Sequence, residues 1–206
     1  MVTAFLPPPH PVFNWGDPAL PYGYAPTGLL TSGATAEASG LAALIVSFYP
    51  RSRFHEMFPD SMGDPPYARF IKRELERGCK PISGEHAAKL GAGRIDAFRS
   101  LTQWGTISEN AIWTDRVYVS GDLKIASGKT LTIKPGTKVY ITPDDNENMY
   151  DPTVVEFRVD GTLIAEGTAS NPIEFKSFSE SPQPGDWAGI QVFGGAASAS
   201  LAYCNI

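Results

Sequence analysis

Thr31 and Ser32 open the stretch TSGATAEASGLAALI, where a hydroxyl pair and small residues lead into an apolar run. Two chemistries fit such a serine. As an N-cap, its hydroxyl accepts a hydrogen bond from a free backbone N–H of the first helical turn. No capping box reinforces that reading, because Thr35 rather than an acid stands three residues on. As a nucleophile, the same serine sits in the positive potential of a helix end. Its backbone N–H then helps to hold an oxyanion as charge develops on a carbonyl. The second chemistry requires a base, since an unassisted hydroxyl stays protonated and attacks poorly. The chain has three histidines: His10 in PPPHPVF, His55 in RFHEMF and His86 in GEHAAK. Each reads as a surface or structural histidine.

Other reactive types are scattered. Cys79 and Cys204 fall in no CxxC pattern, and both are expected to be free thiols. GAGRID begins like a phosphate loop but lacks the third glycine of GxGxxG, so close packing at a turn is the better account. Pro143–Asp151 (PDDNENMYD) gathers four acids. A weak calcium site is one reading, but the D-x-D-x-D-G spacing is missing and a solvated loop is favoured. Trp187 in GDWAGI reads as a cap on a core, with sugar stacking as the alternative.

These residues need elements to carry them. Residues 1–30 are rich in proline and glycine and read as irregular, with one short strand at Val2–Phe5. A helix is expected from about Gly33 to Phe48, ended by Tyr49-Pro50. Glu37 is its one charge, so it has no broad polar face and is expected inside a domain. A second helix is predicted over Pro66–Arg77 and a short third over Arg94–Leu101, with TQWGTISEN as linker. From about Ile112 the period falls to two. VYV, LKI, LTI, VYI, VEFRV, TLIA, IEF, IQV and LAY alternate with SGD, SGK, KPG, VDG, SNP and FGG turns. The loosely repeated GKTLTI, DGTLIA and WAGIQV suggest a solenoid in which each coil covers the next. Leu131, Ile133, Val139, Ile141, Leu163 and Ala165 should point inward, and Lys134 and Lys138 outward. The strand at LAYCNI would leave an uncapped edge, so this end is not expected to be a natural domain end.

TSGATAEASGLAALI resembles the serine segment of the subtilisin-like peptidases, roughly GTSMAxPxVAGLAALL. Ser32 falls on the nucleophile, and Thr31, Ala34, Gly40, Leu41, Ala42, Ala43 and Leu44 match. LGAGRIDAFRSL, over Leu90–Leu101, resembles that family's glycine turn and final helix, in the right order and at a suitable distance. Leu30 stands where the family has glycine, Ala36 where it has proline, and Glu37 where a histidine commonly follows. The family's aspartate, histidine and oxyanion asparagine precede the serine, and no matching segment lies in residues 1–31. Residues 112–206 resemble coils of bacterial secreted or surface proteins built as a right-handed parallel β-helix.

The resemblance implies a subtilisin-like α/β partial domain over 1–104, with helices and a remnant of its parallel sheet. A linker at 105–111 and an incomplete β-helix over 112–206 follow. It implies the C-terminal part of a secreted serine endopeptidase, forming an acyl-enzyme at Ser32 on a protein or peptide substrate. Without its triad partners such a chain is expected to be inactive alone. The alternative is a non-catalytic cell-surface or polysaccharide-binding β-helix protein with a decayed peptidase part. The formal charge of −5 and the lack of a basic stripe argue against nucleic acid. MVTAFLPPPHPVF has no signal-peptide pattern, and no apolar run suits a membrane span, so export follows from the resemblance alone.

Overall fold

The computed structural model describes residues 3–5, 24–25, 31–59, 64–81, 91–143 and 153–206. The chain divides into two compact units, Met1–Leu44 and Ile45–Ile206. In the first, strands β1 (Thr3–Phe5) and β2 (Tyr24–Ala25) pair antiparallel. Helix α1, Thr31–Phe48, begins in this unit and crosses the division.

The expectation that α1 is an interior helix is not met. Only Leu41 and Ile45, one turn apart, are buried among its described side chains. Leu44 is 53% exposed and Val46 41%. The apolar residues spread around the helix, but burial selects a single i, i+4 stripe.

The second unit opens with an aromatic cluster. Tyr49 follows α1, and helix α2 (Arg51–Met57) presents Phe54. Helix α3 (Asp64–Arg77) buries Tyr67, Phe70 and Glu74 at helical spacing. Phe54 lies 5.2–5.3 Å, centroid to centroid, from Phe70 and Tyr67. The Tyr67 hydroxyl donates to the Tyr49 carbonyl at 2.8 Å, and the Tyr49 hydroxyl donates to the Leu101 carbonyl at 3.0 Å. Burial, followed by the nearby Glu74 charge, pushes the Tyr49 phenol up to about 12, so it stays a donor.

The sequence missed α2. It also started the last helix too early: α4 is Ala97–Leu101, capped by Asp96, whose carboxylate accepts from the Arg99 backbone N–H. Asp96 also pairs with Lys80 at 3.1 Å.

Where a linker was expected, strand β3 occupies Gln103–Ile107. It starts a parallel solenoid with β4 (Ala111–Trp113), β5 (Arg116–Ile125), β6 (Thr130–Ile133) and β7 (Lys138–Ile141). The series continues through β8 (Val155–Val159), β9 (Thr162–Glu166), β10 (Ile173–Ser177), β11 (Trp187–Val192), β12 (Ser198–Ala202) and β13 (Cys204–Asn205). The strands form three stacks. β3, the second half of β5, β8 and β11 make the first. β4, β6, β9 and β12 make the second. The first half of β5, β7, β10 and β13 make the third. β5 serves two stacks because Ser120, Gly121 and Asp122 lie between its two paired segments. There the buried Asp122 accepts from the Glu156 N–H at 2.8 Å.

In-register pairing stacks like upon like. Leu131 sits on Leu163, Ile133 on Ala165, Val117 on Val139 and Ile125 on Val159. All six inward positions expected from the sequence are buried, and Lys134 and Lys138 face water. Trp113 fills the core beside Phe157 at 6.0 Å, and Phe157 meets Phe175 at 6.4 Å.

Gly161 shows how tightly the corners close. A Cβ there would lie 2.3 Å from the Ala126 carbonyl oxygen and 2.4 Å from that of Lys129, both backbone atoms of the coil below. Gly161→Ala should therefore cost about 1–3 kcal/mol. Gly40→Ala, on open helix surface, should instead stabilise by about 0.5–1 kcal/mol. Denaturant melts of both variants check the contrast.

Asp96 gives a pH-dependent outcome. Burial raises its pKa, but the Arg99 N–H and Lys80 outweigh that and hold the carboxyl below its ordinary value. A depressed folded pKa stabilises above the unfolded value and fades as pH falls through the folded one. Asp96→Ala should cost about 1 kcal/mol at neutral pH. The gap from wild type should close below about pH 4, as read by urea melts across the acid range.

Candidate functional site

Ser32 lies in the first turn of α1, and its side chain is outside the described residues. His10, Leu30, His86 and the acids between Asp144 and Asp151 also fall outside them, so the calcium reading has no geometry here. Ala36 and Glu37 are on α1. His55 is on α2, with its ring 5.6 Å from Phe54, a packing role. Cys79 and Cys204 are free thiols, donating to the Leu75 and Ala165 carbonyls. Among the described residues, no group of three or more His, Cys, Asp and Glu is placed to hold a metal, and no helix is long and apolar enough to cross a membrane.

The GAGRID segment makes a packed turn. Gly91 and Gly93 have φ of +64° and +118°. A Cβ on Gly93 would lie 2.2 Å from the Lys80 carbonyl oxygen. Lys80 and Arg94 exchange backbone hydrogen bonds across this approach. The glycines serve contact between two chain segments, as the turn reading requires. Trp187 stacks on the buried Phe175 at 6.4 Å with 24° between the rings, which agrees with its role as a core cap.

Charged side chains concentrate where α3 meets the first coil. Glu74 is buried and takes ion pairs from Arg73 and Arg77. Arg77 also donates to the Thr102 and Trp104 carbonyls. The guanidinium carbons of Arg77 and Arg99 lie 4.7 and 4.5 Å from the Trp104 ring centre. A cavity of about 100 Å³ lies beside them, lined by Met57, Trp104 and Trp113 among others. Arg73 pairs further with Glu109. Two arginines and two glutamates balance, so the cavity offers no net charge to an ion. Its groups fasten α3 to the solenoid.

The outer faces of the solenoid are open. On the first stack, Thr106, Lys124, Arg158 and Gln191 form one aligned outward row. At its corner, Ser127, Arg158, Asp160, Phe193 and Gly194 line an open groove of about 290 Å³. Arg158 pairs with Asp160 at 2.8 Å and lies 4.2 Å from the Phe193 ring centre. Phe193 is 40% exposed. The groove thus joins a fixed guanidinium, a carboxylate, an aromatic ring and a glycine turn. That set can hydrogen-bond and stack on a polyhydroxylated ligand. No pattern along the chain points to it, because Arg158 and Phe193 meet only through the pairing of β8 with β11.

No curated protein and no solved structure matches this chain. No comparison shows a peptidase portion. Residues 105–203 match the family model described as a pectate-lyase-like β-helix domain, which spans the solenoid from within β3 to the last turn before β13. The parallel β-helix expected from the sequence is therefore present, and it begins earlier than the period-two pattern suggested.

Proposed function

We propose that this chain carries a non-catalytic, polysaccharide-binding β-helix module that works outside the cell or at its surface. The match of residues 105–203 to a pectate-lyase-like β-helix carries this reading. The groove at Arg158, Asp160 and Phe193 supports it with side chains suited to sugar hydroxyls and ring faces. In this reading the residues ahead of β3 are a decayed peptidase part that leads directly into the module, with no separate linker.

A second reading, the C-terminal part of a secreted subtilisin-like endopeptidase, is favoured by one observation. Leu44 and Val46 are exposed on a helix whose remaining surface is largely alanine, serine and glycine. Such a helix suits cover by further protein. Ser32 would supply the nucleophile and a backbone N–H to the oxyanion. A base is still needed, so the chain alone should be inert.

Two measurements test these readings. Affinity electrophoresis in gels containing pectate or xylan should retard the full chain, and the polymer's viscosity should stay constant on incubation. Unretarded migration in both gels would remove the first reading, and falling viscosity would make the module catalytic. A serine-directed fluorophosphonate should leave Ser32 unlabelled, with stoichiometric labelling the contrary result.

A further inference from the structure

The third stack carries an outward surface that the groove at Arg158 does not include. Strand pairing aligns Tyr118, Tyr140 and Lys176 in one row across three coils, and Lys138 and Glu174 in the next. Tyr118 and Tyr140 stack at 5.2 Å with 18° between their rings. Phe178 stands nearly perpendicular to both, at 5.3 and 6.0 Å, and is 50% exposed. Its backbone N–H donates to the Ile141 carbonyl at 2.7 Å, which fixes the residue beside the two tyrosines.

Outward positions on a solvated sheet are ordinarily polar. Two half-buried tyrosines at such positions, joined by the exposed Phe178 just beyond β10, make a partly apolar patch with a polar border, a feature that marks binding surfaces. The border here is charged. Glu174 lies 2.8 Å from the Lys176 ammonium and 3.7 Å from that of Lys138. Both lysine side chains are about half exposed, at 51% and 48%. The exposed Phe178 ring, backed by the stacked tyrosines and set beside fixed ammonium and carboxylate groups, complements a pyranose, which presents C–H faces and hydroxyls together. Coils recur at about 4.8 Å, so the contacts repeat along the solenoid axis and suit a polymer lying across them.

We propose that Tyr118, Tyr140 and Phe178, bordered by Lys138, Glu174 and Lys176, form a glycan-binding surface in which a pyranose chain lies across the first three coils. This rests on the polysaccharide-binding reading and gives it a second contact surface. Two ammonium groups against one carboxylate leave the border positive, so uronate-containing chains bind at least as well as neutral ones.

Isothermal titration of the full chain with xylohexaose and with a galacturonate hexamer tests the assignment. Phe178→Ala should weaken binding at least tenfold, with an unchanged far-UV spectrum and melting curve. Lys176→Gln, at an exposed position with little risk to folding, should weaken the galacturonate hexamer more than xylohexaose. Wild-type affinity in Lys176→Gln and in a folded Phe178→Ala would overturn this surface, yet leave the polysaccharide reading standing if Phe193→Ala binds weakly. No binding by the wild type would overturn both. A dimer at micromolar concentration that Lys176→Gln disrupts, without glycan binding, would assign the patch to a second copy and overturn the proposal.

Discussion

The structure of residues 103–206 depends on apolar side chains stacking on their own kind from one coil to the next. A single coil cannot bury its inward residues, because half of each side chain's surroundings must come from the coil above or below. Leu131 is sealed by Leu163, Ile125 by Val159 and Val139 by Phe175, each through parallel pairing in register. The same pairing satisfies the backbone donors and acceptors. A shift of one residue would turn every inward side chain to water and every outward lysine to the core. Register therefore fixes the outer faces as firmly as the interior. It is why rows such as Tyr118 and Tyr140, or Lys124 and Arg158, exist at all.

A stack of this kind must be closed at its ends. At the first coil the closure is helical and partly ionic. Met57 and Phe58 from the region of α2 line the cavity against Trp113, and α3 adds Arg73, Glu74 and Arg77. Glu74 is the delicate member: a buried carboxylate is tolerated only with its charge compensated, and here two guanidinium groups do so. Trp104, lying between Arg77 and Arg99, links the helices to β3 through its ring and its carbonyl. These contacts place α2, α3 and α4 in the same compact unit as the solenoid.

Much of the β-helix was legible because burial imposes a strict alternation on each strand. VYV, VYI and TLIA state which residues go inward without knowledge of their partners. The interfaces between coils were not legible, since the coils differ in length and only pairing shows that Tyr140 meets Tyr118. Helix α2 was hidden because RSRFHEM is short and has no second turn of periodic apolar residues. Strand β3 was hidden because its outward Thr106 and flanking Ser108 and Glu109 gave the segment a linker's composition. Helix α1 shows the opposite error: a composition with a single charge, Glu37, was read as burial, but the described part of the helix packs along one stripe only. The helix expected from about Gly33 to Phe48 is present and begins two residues earlier, at Thr31.

The last coil differs from the others in one respect already visible in its strands. Every residue of β12 is exposed, and Val192 and Leu201, which align with the buried Val159 and Ala165, are 49% and 45% exposed. Any layer that covers Val192 and Leu201 therefore gains the apolar burial that Val159 and Ala165 already provide one coil below, and it adds cohesion to the whole stack.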